Sequence, residues 1–310
     1  MSVRPRHTQG GAVLLLALLA VALIMVLLTS VLSRQSNLIH IEAAERERQQ
    51  AMWLMQGAMD WARLILREDA RSGTADHLSE PWAVPLQESR LSGFLATQSG
   101  AREASKPLDE EVVLSGGIED AQGRFNLTNL LQGQQIDTQA RAQLARLFGL
   151  LGLPADRAED LARTMAQSRP PGAKWLPLRT PDDLAAWGWE QGQIDRLQAH
   201  VVILPERTRI NVNTASPEVL AATVDGLSLA NAERLALARL RAPWTQQGQA
   251  QVALGAAFDS TRHDIGSRYF LLRGRLRLGR TELSQTALVQ RDGPAVVYRW
   301  VMPHATTARP

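Results

Sequence analysis

An unbroken run of seventeen apolar residues, at positions 12–28, lies near the start of this chain and constrains its fold more than any other feature. A membrane-spanning helix needs about 20 apolar residues, whereas the apolar part of a cleaved signal peptide has about 7–15. Residues 29–32 extend the run, and no small-x-small cleavage motif follows it. The length therefore predicts a spanning helix.

The charges before the apolar run predict that the rest of the chain lies outside the cytoplasm, and the composition predicts that it is folded. Arg4 and Arg6 precede the apolar run, and positive residues next to a span tend to stay cytoplasmic. The chain is 45% hydrophobic and 21% charged, which is ordinary for a folded protein. It has no cysteine, which excludes disulfides, thiol catalysis and cysteine metal sites.

The predicted helix continues beyond the membrane. Residues 33–71 contain no proline and one glycine, Gly57, and an apolar face recurs there at helical spacing. The sequence therefore predicts one long helix, apolar in its first half and amphipathic in its second, that ends near "RSGTADH". We interpret this apolar face as a packing face; its residues are Met52, Met55, Met59, Ala62 and Leu66, and Trp53 and Trp61 fall beside it.

Strand patterns flank a helical block. "EEVVLSGGIEDAQGRFNLTNLL" predicts two strands around a turn, with residues 116–117 and 122–123 as breakers. Near the C-terminus, arginines and leucines alternate around Gly274, and "RDG" at 291–293 predicts a hairpin turn before a last strand near 296–302. These strands are expected to pair into one antiparallel sheet against the long helix.

The pattern of residues 137–258 predicts several short helices, each with a clear N-terminal signal. Thr180 and Ser216 each stand before a proline and an acid, the pattern of a helix N-terminus. Two pieces repeat a helix–loop–helix plan, which suggests paired modules of the kind called SAM-like. The predicted fold class is therefore α+β, with a large all-α domain inserted between the strands.

The first residues carry a more specific signal. A basic leader that ends in glycine, followed by a helix that is apolar and then amphipathic, resembles type IV prepilins and pseudopilins. The resemblance implies cleavage by prepilin peptidase between Gly11 and Ala12, or second between Gly10 and Gly11, and methylation of Ala12. Most pilins have glutamate at the fifth mature position, but here it is Leu16, and the first acidic residue is Glu42.

The chain lacks that glutamate, as does the family of large minor pseudopilins called general secretion pathway protein K. Three further sequence elements also resemble this family. The elements are "SEPWAVPL", the stretch containing Phe125, Asn126 and Leu127, and the element containing Asn211, Asn213 and Thr214. The resemblance implies a non-enzymatic subunit that caps a type II secretion pseudopilus at its tip and helps to initiate assembly.

Location, partners and domains follow from the same resemblance. The subunit would be single-pass in a bacterial inner membrane, with a cytoplasmic N-terminus and a periplasmic body. Its expected partners are other minor pseudopilins through the N-terminal helix, prepilin peptidase, the inner-membrane assembly platform, and exported substrates or the outer-membrane secretin. The expected segments are a leader (1–11), the long helix (12–71, with 12–32 transmembrane), a first β region (72–131), the inserted helical domain (132–258) and C-terminal strands (259–310).

A DNA-binding alternative rests on "RINVNTASPEVLAATVDGL", which resembles the lead-in of helix-hairpin-helix domains. Such hairpins offer backbone amides to phosphate. Here Gly226 stands alone beside the negative Asp225, although three arginines follow on the next helix. The structural interpretation has the Asn–Thr element cap a turn. The three arginines on the helix after the hairpin are Arg234, Arg239 and Arg241. The alternating arginines 273, 275 and 277 near the C-terminus are likewise interpreted as the solvent face of a strand rather than as a nucleic-acid-binding stripe.

Neither a catalytic motif nor a cofactor motif is present. The six histidines are scattered without metal-ligand spacing, and no local motif predicts catalysis, so no enzyme and no cofactor are expected. Calcium in the inserted domain is possible by the family resemblance alone. The matching place, "TMAQSRPPGAKW", has no acid, and the acids at 182–183 and 109–111 are interpreted as caps and solvated charge. Metal ligands are therefore left unassigned.

Overall fold

A computed structural model describes residues 10–73, 75–90, 112–168 and 178–304 of this chain. The chain divides into two compact units, Met1–Trp53 and Leu54–Pro310, and each is described by itself. In the first unit the described residues belong to the long helix α1, Gly10–Ser72. The end of α1 at Ser72 confirms the prediction that it stops at "RSGTADH".

The buried face of α1 is narrower than the sequence suggested. Met55, Met59 and Leu66 are buried as predicted, and Ala51 is buried one turn before Met55. The prediction for Met52 was wrong, because its side chain is 52% exposed. Three residues rotate a helix about 60° short of a full turn, so Met52 lies to one side of the face that Met55 occupies.

Five strands of the second unit form one antiparallel sheet in the order β1-β2-β9-β10-β11, numbered along the chain. Strand β9 is central, and it pairs with β2 on one side and β10 on the other. The predicted antiparallel sheet, built from strands on both sides of the helical block, is thereby confirmed. The strands are β1, Leu86–Arg90; β2, Val112–Asp120; β9, Tyr269–Leu278; β10, Thr281–Asp292; and β11, Ala295–His304.

The glycine pair at 116–117 does not break the chain as predicted, because β2 runs straight through it. Gly116 lies opposite Gly274 on β9, and a Cβ atom added at Gly116 would lie 2.2 Å from the carbonyl oxygen of Arg273. A Cβ atom at Gly274 would lie 2.8 Å from the sulfur of Met55. These glycines allow close packing inside the sheet and under α1. Strand β2 instead ends at the short 3-10 helix Ala121–Gly123.

One face of the sheet packs against the last part of α1, residues 54–72. Trp82, in a buried 3-10 turn before β1, meets the ring of Phe270 edge to face at 5.3 Å. Arg63 of α1 donates its Nε to the carbonyl oxygen of Val296 at 3.0 Å and stacks over Tyr298. Helix and sheet are therefore joined by apolar burial and by a cation–π contact.

Short helices and short strand pairs fill the chain between β2 and β9. Two consecutive helix pairs, α2 with α3 and α5 with α6, pack together, and α2 also packs on α5. The α+β class is confirmed, with helices as predicted within 137–258. The helices are α2, Thr138–Leu150; α3, Asp156–Ser168; α4, Gln191–Leu197; α5, Pro217–Thr223; α6, Leu229–Arg241; and α7, Gln247–Leu254.

The predicted helix starts at Thr180 and Ser216 are confirmed. Ser216 accepts a hydrogen bond from the backbone N–H of Val219 at the start of α5. Asp183 accepts one from the backbone N–H of Thr180, where the segment Pro181–Trp187 forms a 3-10 helix rather than an α-helix. The short strand pairs are β3, Phe125–Asn126, with β6, Val201–Val202; β4, Leu131–Gln132, with β5, Gln135–Ile136; and β7, Ile210–Asn211, with β8, His263–Asp264.

The second face of the sheet is partly covered by this helical region. Val202 and Leu204 form one buried apolar cluster with Tyr269, Leu271 and Leu288 of the sheet. Farther along β9 the same face carries the exposed arginines 273, 275 and 277, which confirms the alternation read from the sequence. The helical region thus holds one end of the sheet and leaves the other end open.

Candidate functional site

The first candidate is the apolar half of α1. The segment Leu14–Gln35 is long and apolar enough to cross a membrane, with a mean hydropathy of 3.0 and no buried part. Leu16 is 69% exposed within it. Gly11 and Ala12 lie near the start of α1, and their side chains fall outside the described ones. Cleavage between them and methylation of Ala12 stay predictions.

A second candidate is a buried cluster of charged and polar side chains in the second unit, here called the polar junction. It joins the loop after α1, the ends of β2 and β10, the β7 element and the residues just before β9. All but two of its members, Asp69 and Thr214, are at least nine-tenths buried. The members are Asp69, Asp76, Asp120, Asn211, Thr214, Ser267 and Arg291.

Arg291 supplies the positive charge of the polar junction. Its Nη2 donates to both carboxylate oxygens of Asp76 at 2.6 Å and to the carbonyl oxygen of Ser267 at 2.9 Å. Its Nη1 donates to Asp69 at 2.7 Å, and the guanidinium lies over the ring of Phe270. One buried arginine therefore ties α1 and the following loop to the last hairpin of the sheet.

Asp120, at the end of β2, is the second centre of the junction. Its Oδ2 accepts hydrogen bonds from Asn211 at 2.8 Å, Thr214 at 2.6 Å and Ser267 at 2.7 Å. Its Oδ1 accepts the backbone N–H of Gln122 at 2.8 Å. This carboxylate therefore fastens the sheet to the Asn–Thr element.

The Asn–Thr element folds as the structural interpretation expected. Asn211 accepts the backbone N–H of Asn213, which makes an Asx turn, and donates to the carbonyl oxygen of Asp76 at 3.0 Å. Asn213 exchanges two hydrogen bonds with the backbone of Trp244. The side-chain amides of Asn211 and Asn213 are therefore occupied by protein partners rather than free for a ligand.

The Phe125–Asn126–Leu127 stretch has a similar role. Phe125 and Leu127 are fully buried in the helical core. The amide of Asn126 accepts the N–H groups of Thr128 and Leu204 and donates to the carbonyl oxygen of Glu206. The element links β3 to the segment after β6, across nearly eighty residues of sequence.

The hairpin between α5 and α6 lacks the geometry of a phosphate cradle. Gly226 has the positive φ of 74° that such a turn needs, but Asp225 beside it pairs with Arg146 at 2.8 Å. Arg239 is buried and donates to the carbonyl oxygens of Val212 and Ala215. One of the three arginines considered for DNA contact is therefore part of the core.

His200 has the only contacts among the described histidines that resemble part of a catalytic triad. Its Nδ1 lies 3.1 Å from the hydroxyl of Ser216 and 3.9 Å from a carboxylate oxygen of Glu218. In a serine triad the nucleophile and the acid bind opposite ring nitrogens, whereas here both approach the same one. Ser216 is also occupied as the cap of α5. The arrangement caps a helix and does not relay a proton.

Three acids, Asp69, Asp76 and Glu80, bring ligand oxygens within 4.8 Å of one another. Calcium needs six or more oxygen ligands. Here Arg291 already binds Asp69 and Asp76, and Glu80 accepts hydrogen bonds from the His77 backbone and the Trp82 indole. These residues do not fit a calcium ion, because an arginine fills the position of the cation. Within the stretch that was considered for calcium, residues 169–175 lie outside the described residues, and so do the acids at 109–111. Asp183 is a helix cap, as predicted.

Burial controls the electrostatics of the polar junction. It raises the pKa of Asp76 from 3.8 to about 7, against the opposing effect of Arg291, and it raises the pKa of Asp120 as well. A carboxyl whose pKa is raised by folding stabilises the fold fully below its unfolded pKa. That contribution is lost as the pH rises through the folded value.

We therefore expect the junction to become less stabilising as the pH rises from about 4 to about 7. The change Asp76→Asn removes the titrating group, so the difference in melting temperature between wild type and this variant should shrink or reverse as the pH rises. Each pH unit in this window is worth up to about 1.4 kcal/mol for one group. Thermal unfolding of the full chain in detergent measures this, and parallel pH profiles of the two proteins would contradict it.

Sequence reasoning missed Arg291, Asp76 and Ser267 as parts of one cluster. Arg291 was noted only as the first residue of a turn, and Asp76 only as part of a helix stop. An arginine in a strand pattern where an apolar residue is expected was the one available signal, since a buried arginine needs acidic partners.

Comparisons with known proteins give one consistent result. Two family models, both described as "Type II secretion system (T2SS), protein K", match residues 123–206 and 210–265. A relative from Pseudomonas aeruginosa, type II secretion system protein K, is 27% identical, with 93% of this chain and 91% of the relative covered. One of the same description from Klebsiella pneumoniae is 28% identical, with 93% and 94% covered.

A solved structure shares the fold. A chain of the GspK–GspI–GspJ complex from the type 2 secretion system of enterotoxigenic Escherichia coli superposes with a TM-score of 0.58. The match has 22% sequence identity and covers 84% of this chain and 98% of that chain. The two family models together contain the Asn–Thr element and most of the helices described above.

Proposed function

This chain belongs to the protein K family of type II secretion systems, and from that premise we propose that it caps the tip of the pseudopilus and helps to initiate its assembly. It is a minor pseudopilin and a component of a protein-secretion system. Its work is assembly and mechanical contact, with no reaction assigned to it.

The observation that supports a tip position is the absence of any acidic residue before Glu42. A carboxylate inside a membrane is unfavourable unless it meets a cation. In pilins that cation is the N-terminal amine of a neighbouring subunit, so a subunit without a neighbour on that side has no partner for a glutamate. Leu16 at the fifth mature position suits such a subunit.

The N-terminal processing and topology belong to the same proposal. We assign cleavage between Gly11 and Ala12, methylation of Ala12, an N-terminus in the cytoplasm and a body in the periplasm. The segment Leu14–Gln35 would anchor the subunit in the inner membrane before assembly. We also retain the proposed leader at 1–11 and the inserted helical domain at 132–258.

The proposed partners are the other minor pseudopilins, bound through the long helix. The solved relative forms a complex with GspI and GspJ, and we extend partners of that kind to this chain. Prepilin peptidase, the inner-membrane assembly platform, and exported substrates or the secretin complete the proposed set. DNA binding is not favoured, because Arg239 is buried and Asp225 stands at the hairpin.

A single substitution tests the tip position. Leu16→Glu places an unpaired carboxylate in the membrane if no subunit lies beyond this one, so secretion by a strain that depends on this chain should fall at least tenfold. Leu16→Met is the matched control and should secrete normally. Normal secretion by Leu16→Glu, with the subunit labelled along the whole fibre, would contradict the tip proposal.

The mass of the mature N-terminus tests the processing separately. A chain purified from membranes should begin at Ala12 and carry one methyl group. A chain that begins at Met1, or beyond position 32, would rule out a pseudopilin leader whatever the result at Leu16. A gel shift of the full chain in detergent, in which tight and salt-sensitive DNA binding appeared, would favour the DNA-binding alternative.

A further inference from the structure

The last strand, β11, lies at one edge of the sheet, and no other strand in the described part of the chain pairs with its outer side. An edge strand of 10 residues presents a row of backbone N–H and C=O groups to which a strand of another chain can add. Folded proteins usually protect such an edge against pairing with a second copy. The contacts of β11 show how this edge is protected.

The register identifies the residues whose backbone faces the open side of β11. The N–H of Arg291 on β10 donates to the carbonyl oxygen of Arg268, so the backbone of Arg291 points towards β9. The register of β10 with β9 is unbroken and directions alternate along a strand, so the backbone of Gln285 points the same way. The residues opposite these two on β11 are Val296 and Pro303, and their backbones therefore face the open edge.

The side chain of Arg63, on α1, occupies the open edge at Val296. Its Nε donates to the carbonyl oxygen of Val296 at 3.0 Å, and its Nη2 donates to the same oxygen. Its guanidinium lies 4.5 Å from the ring centre of Tyr298 and 2.8 Å from a carboxylate oxygen of Asp60. Tyr298 donates its hydroxyl to the same oxygen at 3.2 Å. A fixed arginine therefore stands where the N–H of an added strand would have to bond.

Two further features interrupt β11 nearer its C-terminal end. The register with β10 shifts between Leu288 and Val289, which leaves Arg299 as the extra residue of a bulge. A bulge breaks the regular spacing of outward groups that a hydrogen-bonded ladder needs. Pro303 has no N–H to donate at a position where its backbone faces outwards, which is where proline is tolerated in a sheet.

The opposite edge of the sheet, β1, is protected by different means. This strand has 5 residues, and its two charged side chains, Glu88 and Arg90, are exposed. Its register with β2 shifts between Leu86 and Ser89. A short, irregular and charged strand is a poor template for pairing. The longer and more regular β11 is therefore the edge at which strand addition has to be prevented.

We propose that Arg63, the bulge at Arg299 and Pro303 together close the β11 edge against strand addition by a second copy of this chain. Partners of this subunit then bind through its helices and sheet faces, and its sheet does not extend into theirs. The inference depends on the edge alone. It holds whether or not the subunit caps a fibre.

Removal of the protecting groups should create the contact that they prevent. The chain has no cysteine, so Val301→Cys gives β11 a single reporter thiol, and a short bismaleimide links two such thiols where two edges meet. In this background, Arg63→Met with Pro303→Thr should raise the yield of linked dimer of the full chain in detergent about tenfold, which is about 1.4 kcal/mol. Arg67→Met removes an exposed charge one turn further along α1 and should leave the yield within about twofold of wild type.

Further variants separate strand addition from misfolding. Arg63→Lys keeps a donor for Val296 and should stay as unlinked as wild type. A second reporter, Val252→Cys on the exposed side of α7, should show no rise in the opened variant. An equal rise with both reporters, or equal linking at position 301 in wild type and the opened variant, would overturn the proposal.

The exposed Pro303 keeps the test decisive if the double variant does not fold. Pro303→Thr alone leaves the contacts of Arg63 intact, so its melting temperature should match that of wild type. Its yield of linked dimer should still rise about threefold, because one protecting feature is lost. A folded Pro303→Thr variant that links no more than wild type would contradict the proposal.

Discussion

Replacement of Arg291 by methionine is expected to lower the free energy of unfolding by about 3–5 kcal/mol, the usual loss when one partner of a buried ion pair is removed. Methionine keeps much of the side-chain volume and its contact with Phe270. It leaves the carboxylates of Asp69 and the buried Asp76 without their cation. Asp76 keeps one hydrogen-bond donor, the backbone N–H of Ser267. The defect should be larger at pH 8 than at pH 5, because protonation relieves an unpaired carboxylate.

Thermal unfolding of the full chain in detergent measures the effect. A loss of 1 kcal/mol corresponds to about 2–4 °C for a chain of this size class, so the melting temperature should fall by roughly 10 °C. Arg275→Met is the matched control, because Arg275 is an exposed sheet arginine whose partner is Glu282. It should change stability by at most about 1 kcal/mol. Equal effects of the two substitutions would mean that the junction contributes no more than a surface ion pair.

Removal of the Asn211 side chain is expected to have the next largest effect. Asn211→Ala leaves the N–H of Asn213 without its acceptor and the carbonyl oxygen of Asp76 without its donor, and it also removes one donor each from Asp120 and Ser267, which keep other partners. Each buried polar group that loses its partner costs about 1–3 kcal/mol, and two backbone groups lose theirs, so we expect a loss of about 2–4 kcal/mol.

The control for this change is Asn231→Ala on the exposed side of α6. The hydrogen bond given for the side chain of Asn231 is the one from Arg234, on the exposed surface, and alanine is a better helix former than asparagine. Stability should stay the same or rise slightly. If Asn211→Ala were as harmless as Asn231→Ala while binding of a ligand was lost, the Asn–Thr element would be a binding site and its structural interpretation would be wrong.

Local patterns carried most of the fold prediction. The apolar run, the helix caps at Ser216 and the alternation around Gly274 each depend on neighbours within one turn or one strand. Such features are encoded in a few consecutive residues, and they predicted the long helix, the helices within 137–258 and the existence of the final hairpin. The turn of that hairpin lies at 293–294 rather than at 291–293, because Arg291 and Asp292 still pair within β10. The same method failed at Gly116, whose role depends on the backbone of Arg273 far along the chain.

The polar junction could not be predicted for the same reason. Asp76, Asp120 and Arg291 are meaningful only together, and no spacing rule relates them. The Asn–Thr element was recognised from its own consecutive residues, yet its principal partner, Asp120, was read only as part of a predicted strand–turn segment.

The adjacency of β2 and β9 has a kinetic consequence. Asp120 pairs with Phe270, so the central pairing of the sheet waits for the whole helical region to be synthesised. Loop closure over such a separation is slow, whereas the helices make contacts close in sequence. We expect the helical region to fold first and to bring β9 to β2 afterwards. Asp76 would then remain hydrated until Arg291 arrives, which makes the last hairpin the step that commits the sheet.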